Sequence, residues 1–316
     1  MSIYLHTLIS ILVLALVILL VVFLRHRGLL RQESGILFSQ LVTQITLPAL
    51  IFSALSHSVI EWQYLVLFLI MLGSEIVLLG IAWGAGRLLG LTQSQMGSFL
   101  LVSAFGSSAL LGYAIIVELF PDNSNVIAEA AFVSELGVGL PLFTIGVMTM
   151  IYYGSSAKKE ISLLREALLF FKSPIFLSIA AGMIWSLLEL PTKGMIVTPL
   201  FDALHIIAKA NTFLVAMTVG VLLQFGSFRY IVWIAAAVVM IKLILAPVLV
   251  YIPASFLTLE SWQMQVLILE ASMPSAMLSV VLAKRYGCDA ELAAKLVFVT
   301  LVVSMLTVTM MLKVLG

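Results

Sequence analysis

Ten stretches of this chain are long and apolar enough to cross a lipid bilayer, and this limits the fold more than any other feature. They run Ile3–Leu24, Ile36–Leu55, Tyr64–Leu89, Gly97–Leu119, Val126–Tyr152, Phe170–Leu190, Phe201–Leu223, Tyr230–Tyr251, Gln265–Ala283 and Leu292–Leu315. A hydrocarbon core is crossed by a helix of about 20 apolar residues. Inside it, backbone polar groups must be satisfied within the protein, so only helices and closed barrels span. The runs are continuously apolar and do not alternate with period two, which excludes a barrel. Only 10% of residues are charged and 63% are hydrophobic, which no soluble domain of this length requires. The expected class is an all-α polytopic membrane protein.

Cation placement sets the expected orientation. With the amino terminus outside, Arg25, Arg27, Arg31, Arg87, Lys158, Lys159, Arg165, Lys172, Arg229, Lys284 and Arg285 fall on the cytoplasmic side. Lys193 and Lys313 fall outside, and Lys209, Lys242 and Lys295 lie within spans. Both termini are therefore expected outside, periplasmic in a bacterial inner membrane. The first run is too long for a signal-peptide core and is followed by Arg25-His26-Arg27, so a retained span is expected. The longest hydrophilic loop, Gly154 to Lys172, divides five spans from five. An odd-numbered half sits upside down relative to its copy, the inverted repeat that builds many secondary transporters. The expected organisation is a first five-helix repeat over 1–153, a cytoplasmic connection over 154–169 and an inverted second repeat over 170–316.

The costliest residues lie in span nine, where Glu270-Ala271-Ser272-Met273-Pro274-Ser275 interrupts an apolar run. A proline removes a backbone donor and clashes with the preceding turn, and a carboxylate in a bilayer is expensive unless paired or protonated. Two readings stand. One is a kink whose serines return hydrogen bonds to the backbone. The other is an unwound segment whose half-helix N-termini face an anion. Span four offers a counterpart in Gly106-Ser107-Ser108, with small-residue helix packing as its plainer reading. Candidate substrate-binding residues are Ser107, Ser108, Lys209, Asn211, Ser272, Pro274 and Ser275. Lys209 either snorkels to the interface or counters a substrate carboxylate.

Glu75, Glu135, Lys242 and Glu270 are mid-depth charges, functional candidates by default. Glu75 and Lys242 each lie roughly 17–18 Å from their span's start by helical rise and are expected to pair. Glu135 and Glu270 lack an obvious partner and are the coupling candidates. The residues leave proton or sodium coupling and passive permeation open. Glu129 and Lys295 lie near span ends, where water is expected to reach them. Gly80, Gly84, Gly86 and Gly90 form an expected close-packing series in span three. No zinc, phosphate-loop or acidic metal motif occurs, so neither an enzyme nor a cofactor is expected, and no basic patch suggests nucleic acid. The lone Cys288 permits no intrachain disulfide.

A set of motifs completes the picture. Leu47-Pro48-Ala49-Leu50-Ile51-Phe52, Ala104-Phe105-Gly106-Ser107 with Leu111-Gly112, Ile207-Ala208-Lys209-Ala210-Asn211 with Gly220, and Lys242-Leu243-Ile244-Leu245-Ala246-Pro247 precede the strongest one. That is Glu270-Ala271-Ser272-Met273-Pro274-Ser275-Ala276 running to Leu282-Ala283-Lys284-Arg285-Tyr286, followed by Thr300 and Ser304. In this order the chain resembles the auxin efflux carrier family, in the bacterial branch of malonate-type carriers related to plant PIN proteins. The resemblance implies ten helices in two inverted five-helix repeats, similar to bile-acid and sodium/proton antiporter folds. Helices four and nine would be broken crossover helices at the site. A scaffold of helices one, two, six and seven would move against a transport domain of three to five and eight to ten. It also implies an organic anion as substrate, a mono- or dicarboxylate or an auxin-like aromatic acid, and dimers among relatives. Three departures stand out: Ser107 replaces the family's asparagine, Tyr113 its proline, and Asn211-Thr212 stands where many members have a proline. The second reading is a ligand-binding membrane sensor on a carrier-like scaffold, against which no regulatory domain is seen.

Overall fold

The computed structural model describes residues 3–120, 123–154, 171–222 and 231–315. Lys158, Lys159 and Arg165 of the central connection, and Arg229, lie outside the described residues. Helices carry the described chain: α1 (Ile3–His26), α2 (32–56), α3 (Trp62–Leu88), α4 (Gln93–Ala104), α5 (Ser108–Leu119), α6 (Ser124–Tyr153), α7 (Pro174–Leu187), α8 (Val197–Val221), α9 (Val232–Ala254), α10 (Ser261–Ala271), α11 (Leu278–Tyr286) and α12 (Ala290–Leu315). Six of them, α2, α3, α6, α8, α9 and α12, are long and apolar enough to cross a membrane. Large apolar side chains on α1, among them Leu16 and Leu19, are exposed, a surface that lipid wets and water does not.

Local chemistry explains the helix ends. Thr92 Oγ1 accepts from the Gln95 N–H while Gln95 Oε1 accepts from the Thr92 N–H, closing a capping box at the start of α4. Ser173 caps α7, with Pro174 as its first helical residue. α11 stops at Gly287, whose φ of 78° suits a residue without Cβ.

Three helices contain a proline in mid-span, and in each the backbone widens into a π-helical stretch just before it. These are Val42–Thr46 before Pro48, Phe132–Gly139 before Pro141 and Val239–Leu245 before Pro247. A proline cannot donate to the carbonyl four residues back. Widening lets a neighbouring N–H reach one residue further: Leu47 N–H bonds Val42 O, and Ala246 N–H bonds Ile241 O.

The chain forms two compact units, each assembled from discontinuous segments. The first holds Met1–Tyr64, Tyr113–Ala131 and Phe171–Leu223; the second holds Leu65–Gly112, Phe132–Phe170 and Gln224–Gly316. Within the first unit, α2 packs on α7 and the start of α8, and α1 lies along the second half of α8. Arg25 Nη1 donates to Val221 O at 2.7 Å, satisfying a carbonyl near the end of α8. Within the second unit, Phe99, Phe105, Val138, Leu142, Leu267 and Leu296 share one core.

Two expectations are corrected here. Glu129 is not wet but fully buried in the first unit, within electrostatic range of Tyr64. α6 starts at Ser124, so Glu129 lies on its second turn, where the helix packs on α2. The glycines of α3 are not a packing series. A Cβ at Gly80, Gly84 or Gly90 meets nothing, whereas at Gly86 it runs into Met96. The tight seam lies elsewhere: a Cβ at Gly220 stands 2.7 Å from Val21 Cβ and 2.9 Å from Ile18 O. Overpacking of this kind costs about 1–3 kcal/mol. Gly220→Ala is therefore expected to lower the melting temperature in detergent by several degrees, while Gly80→Ala leaves it unchanged or raises it; equal effects contradict the α1–α8 packing.

Candidate functional site

Two helical rods in the second unit are interrupted, and the interruptions meet. α4 ends at Ala104 and the chain turns extended at Phe105, with φ −89° and ψ 129°. α10 ends at Ala271, and Pro274 prevents its continuation. The two extended segments pair as an antiparallel bridge with Gly106 opposite Ser275. Ser107 N–H donates to Pro274 O at 2.6 Å and Ala276 N–H donates to Phe105 O at 2.9 Å. Each break thus supplies partners for backbone groups the other has freed, which a low-dielectric interior demands.

Side chains reinforce the junction. Ser275 Oγ donates to Val102 O at 2.6 Å, and its N–H donates to Thr300 Oγ1 at 3.2 Å. Ser272 Oγ returns a bond to Ile268 O at 2.7 Å. Ser134 Oγ donates to Ser108 Oγ at 2.9 Å. The hydroxyl protons of Ser272 and Ser275 are therefore committed to backbone carbonyls, that of Ser272 one turn back in its own helix and that of Ser275 on α4, and the segment between α10 and α11 is unwound. Ser107 bonds through its main chain alone among the described residues, its N–H donating to Pro274 O and its carbonyl accepting from the Leu111 and Gly112 N–H groups, which leaves its hydroxyl available. The proline missing from span four is not needed there. The extended conformation at Phe105–Ser107 is held by the pairing itself.

A cation sits on this junction. A Cβ built on Gly106 would stand 3.0 Å from Lys242 Nζ, so glycine is what lets the ammonium approach the backbone. Lys242 Nζ is 3.9 Å from Glu75 Oε1, and both side chains are 1% exposed. The pairing expected from the sequence is present, but it is loose, and neither Glu75 oxygen has a hydrogen-bond partner among the described residues. Glu270 is equally buried at 1%, both of its oxygens lack hydrogen-bond partners among the described residues, and it lies in electrostatic range of Glu135 and Lys242. Its carboxylate fills the space at Gly112, where a Cβ would come within 2.5 Å of Oε2. Glu135, also buried, stands on the π-helical stretch of α6.

The second unit therefore gathers Ser107, Ser108, Ser272, Pro274, Ser275, Glu135 and Glu270. Lys209 and Asn211 belong to the first unit. Lys209 is exposed at the end of a helical segment. Asn211 is 1% exposed and begins the next segment after a turn at Ala210. Lys242 was read from the sequence as a mid-depth functional candidate and the expected partner of Glu75, but its place against Gly106 had no local signal. Thr46, which bonds Asn211, was missed; its one trace was a hydroxyl in an apolar span. Among the described residues no group of three or more His, Cys, Asp or Glu is arranged to hold a metal. Burial and neighbouring Asp289 push the Cys288 thiol up to about 11, which keeps it protonated and a poor nucleophile.

An apolar helical chain with paired interruptions and buried mid-span charges has the attributes of a membrane transporter. The chain belongs to the membrane transport protein family, the auxin efflux carrier type its motifs resemble: the family model matches residues 5–312. It is similar to an uncharacterized transporter of Methanocaldococcus jannaschii, 24% identical over 313 residues covering 95% of this chain and 96% of that protein. It is also similar to an uncharacterized transporter of Methanothermobacter thermautotrophicus, 27% identical over 306 residues covering 96% of this chain and 95% of that protein. It is thus an integral membrane protein of a transporter family, a class whose members are in general not enzymes.

Breaking a buried pair costs about 3–5 kcal/mol, because one charge is left uncompensated, whereas replacing both partners is often neutral. Lys242→Met alone is expected to destabilise strongly. Glu75→Gln combined with Lys242→Met is expected to recover most of the loss. A double variant no more stable than the single one contradicts the pairing.

Proposed function

We propose that this protein is a secondary carrier that moves a small organic anion, a mono- or dicarboxylate or an aromatic acid, by alternating access. The observation that carries the reading is the bridge between Gly106 and Ser275 with Lys242 against it. Two helices, α5 and α11, begin beside that bridge, and helix N-termini carry unsatisfied N–H groups and partial positive charge. With a lysine at the same junction, a carboxylate is the ligand the electrostatics favour. Ser107, just before α5, and Ser108, its first residue, are its proposed hydroxyl contacts, and Ser272, Pro274 and Ser275 shape the other side; in the first unit, taken by itself, Asn211 and Lys209 are the proposed substrate-binding residues.

The ten-span, inverted-repeat organisation belongs to the same proposal. Adding α1, the α4–α5 pair, α7 and the α10–α11 pair to the six span-length helices gives ten crossings. Interrupted helices then occupy fourth and ninth place, as crossovers do in such repeats. The two repeats, 1–153 and 170–316, would each contribute to a scaffold and to a moving domain. We place both termini outside the cell membrane on the cation distribution. Glu270 and Glu135 are the proposed coupling groups, since both are carboxylates buried in mid-span, and such groups mark proton or ion pathways. The malonate-type branch is the reading we favour for substrate size, and a homodimer for assembly.

The test is exchange of radiolabelled malonate, succinate and phenylacetate in proteoliposomes. At least one is expected to enter above the rate of empty vesicles. Ser107→Ala is expected to lower kcat/KM by ~10-fold, the worth of one hydrogen bond to a charged group. Failure of every acid to exchange with correctly folded protein refutes the reading.

A further inference from the structure

The first unit contains a buried side-chain amide of which the fold uses only the carbonyl end among the described residues. Asn211 is 1% exposed and opens the second segment of α8. Thr46, 5% exposed, is the last residue of the π-helical stretch in α2. Thr46 Oγ1 donates to Asn211 Oδ1 at 2.9 Å. That bond makes the carbonyl the accepting end of the amide and fixes where the other end points. The Nδ2 atom is buried and has no hydrogen-bond partner among the described residues.

A primary amide nitrogen carries two donors and no lone pair for bonding. It binds an oxygen acceptor and does not coordinate a cation. Buried donors are ordinarily satisfied, and a site that needed only packing would be served better by leucine. The backbone is irregular on both sides, a π-helical stretch ending at Thr46 and a turn at Ala210. Both irregularities end at the hydrogen-bonded residues.

We propose that Thr46 is a positioning residue that holds Asn211 with its amino group turned away from Thr46, and that this group donates to a carboxylate oxygen of the transported anion. The assignment rests on the carrier reading above for the identity of the ligand. It adds a residue, Thr46, and a direction, donor rather than acceptor. A serine at position 46 preserves the function, and a valine of the same shape does not. An aspartate at 211 keeps the acceptor for Thr46 but replaces the donor with a second oxygen, which repels the anion.

The experiment uses full-length protein in proteoliposomes with malonate, succinate and phenylacetate, and melting temperatures in detergent. Thr46→Ser is expected to match the native KM, Thr46→Val to raise KM several-fold with kcat little changed, and Asn211→Asp to weaken apparent affinity by at least ~10-fold. Thr46→Val combined with Asn211→Leu is expected to melt at or above the native temperature while losing affinity. Because a stable double variant reports a donor not needed for folding, this arm needs no ligand. If the native protein exchanges an acid and Thr46→Val behaves as native, the proposal is overturned while the carrier reading stands. If no acid exchanges, the carrier reading falls. In either case a double variant melting more than about 5 °C below native overturns the donor assignment by making the pair structural.

Discussion

A helix that stops inside a bilayer leaves backbone donors and acceptors with no water to satisfy them. The rest of this structure depends on how that debt is met at Gly106 and Ser275. Neither break is viable alone. Each exposes peptide groups in an apolar interior, and the antiparallel pairing of Ser107 with Pro274 and of Phe105 with Ala276 satisfies them reciprocally. The serine hydroxyls then extend the arrangement to Val102, Ile268 and Thr300. What remains beside the junction is the polarity of two helix starts, and it is there that Lys242 lies.

The charges follow from the same constraint. An ammonium in this environment needs an anion, and Glu75 supplies one at a distance too long for a hydrogen bond. A loose buried pair is weak evidence for stability and better suited to a group whose partner changes. Glu270, with no hydrogen bond among the described residues and no room left for a side chain at Gly112, adds a further carboxylate to the same unit. An excess of buried acid over base is what a protein that exchanges a proton or cation would retain, and it supports the proposed coupling role. The glycines at 106 and 112 are spatial requirements of these two side chains.

Much of this was legible in the sequence, for identifiable reasons. The positions of the six span-length helices follow from apolar length alone. The break in span nine follows from Pro274 among serines in an apolar run. The Glu75–Lys242 pairing follows from matched depth. What was not legible depends on pairings distant in sequence. Span four carries no proline, and its extended residues are set by contact with 274–276 and not by their own propensity. Glu129 was misjudged because its span starts earlier than the apolar run indicates. Thr46 and Asn211 are 165 residues apart, and nothing in the periodicity of either helix marks them as partners.

The central claim is that the paired interruptions hold the anion, and chemical protection at Ser107 tests it most directly. In a Cys288→Ala background, Ser107→Cys introduces a single thiol at a junction hydroxyl that makes no hydrogen bond among the described residues. Its rate of modification by a small membrane-permeant thiosulfonate is measured with and without the acid that exchanges in proteoliposomes. The account predicts slower labelling with the acid present, with half-protection near its KM. Labelling at the same rate with and without a saturating, transported acid would contradict it and move the site elsewhere.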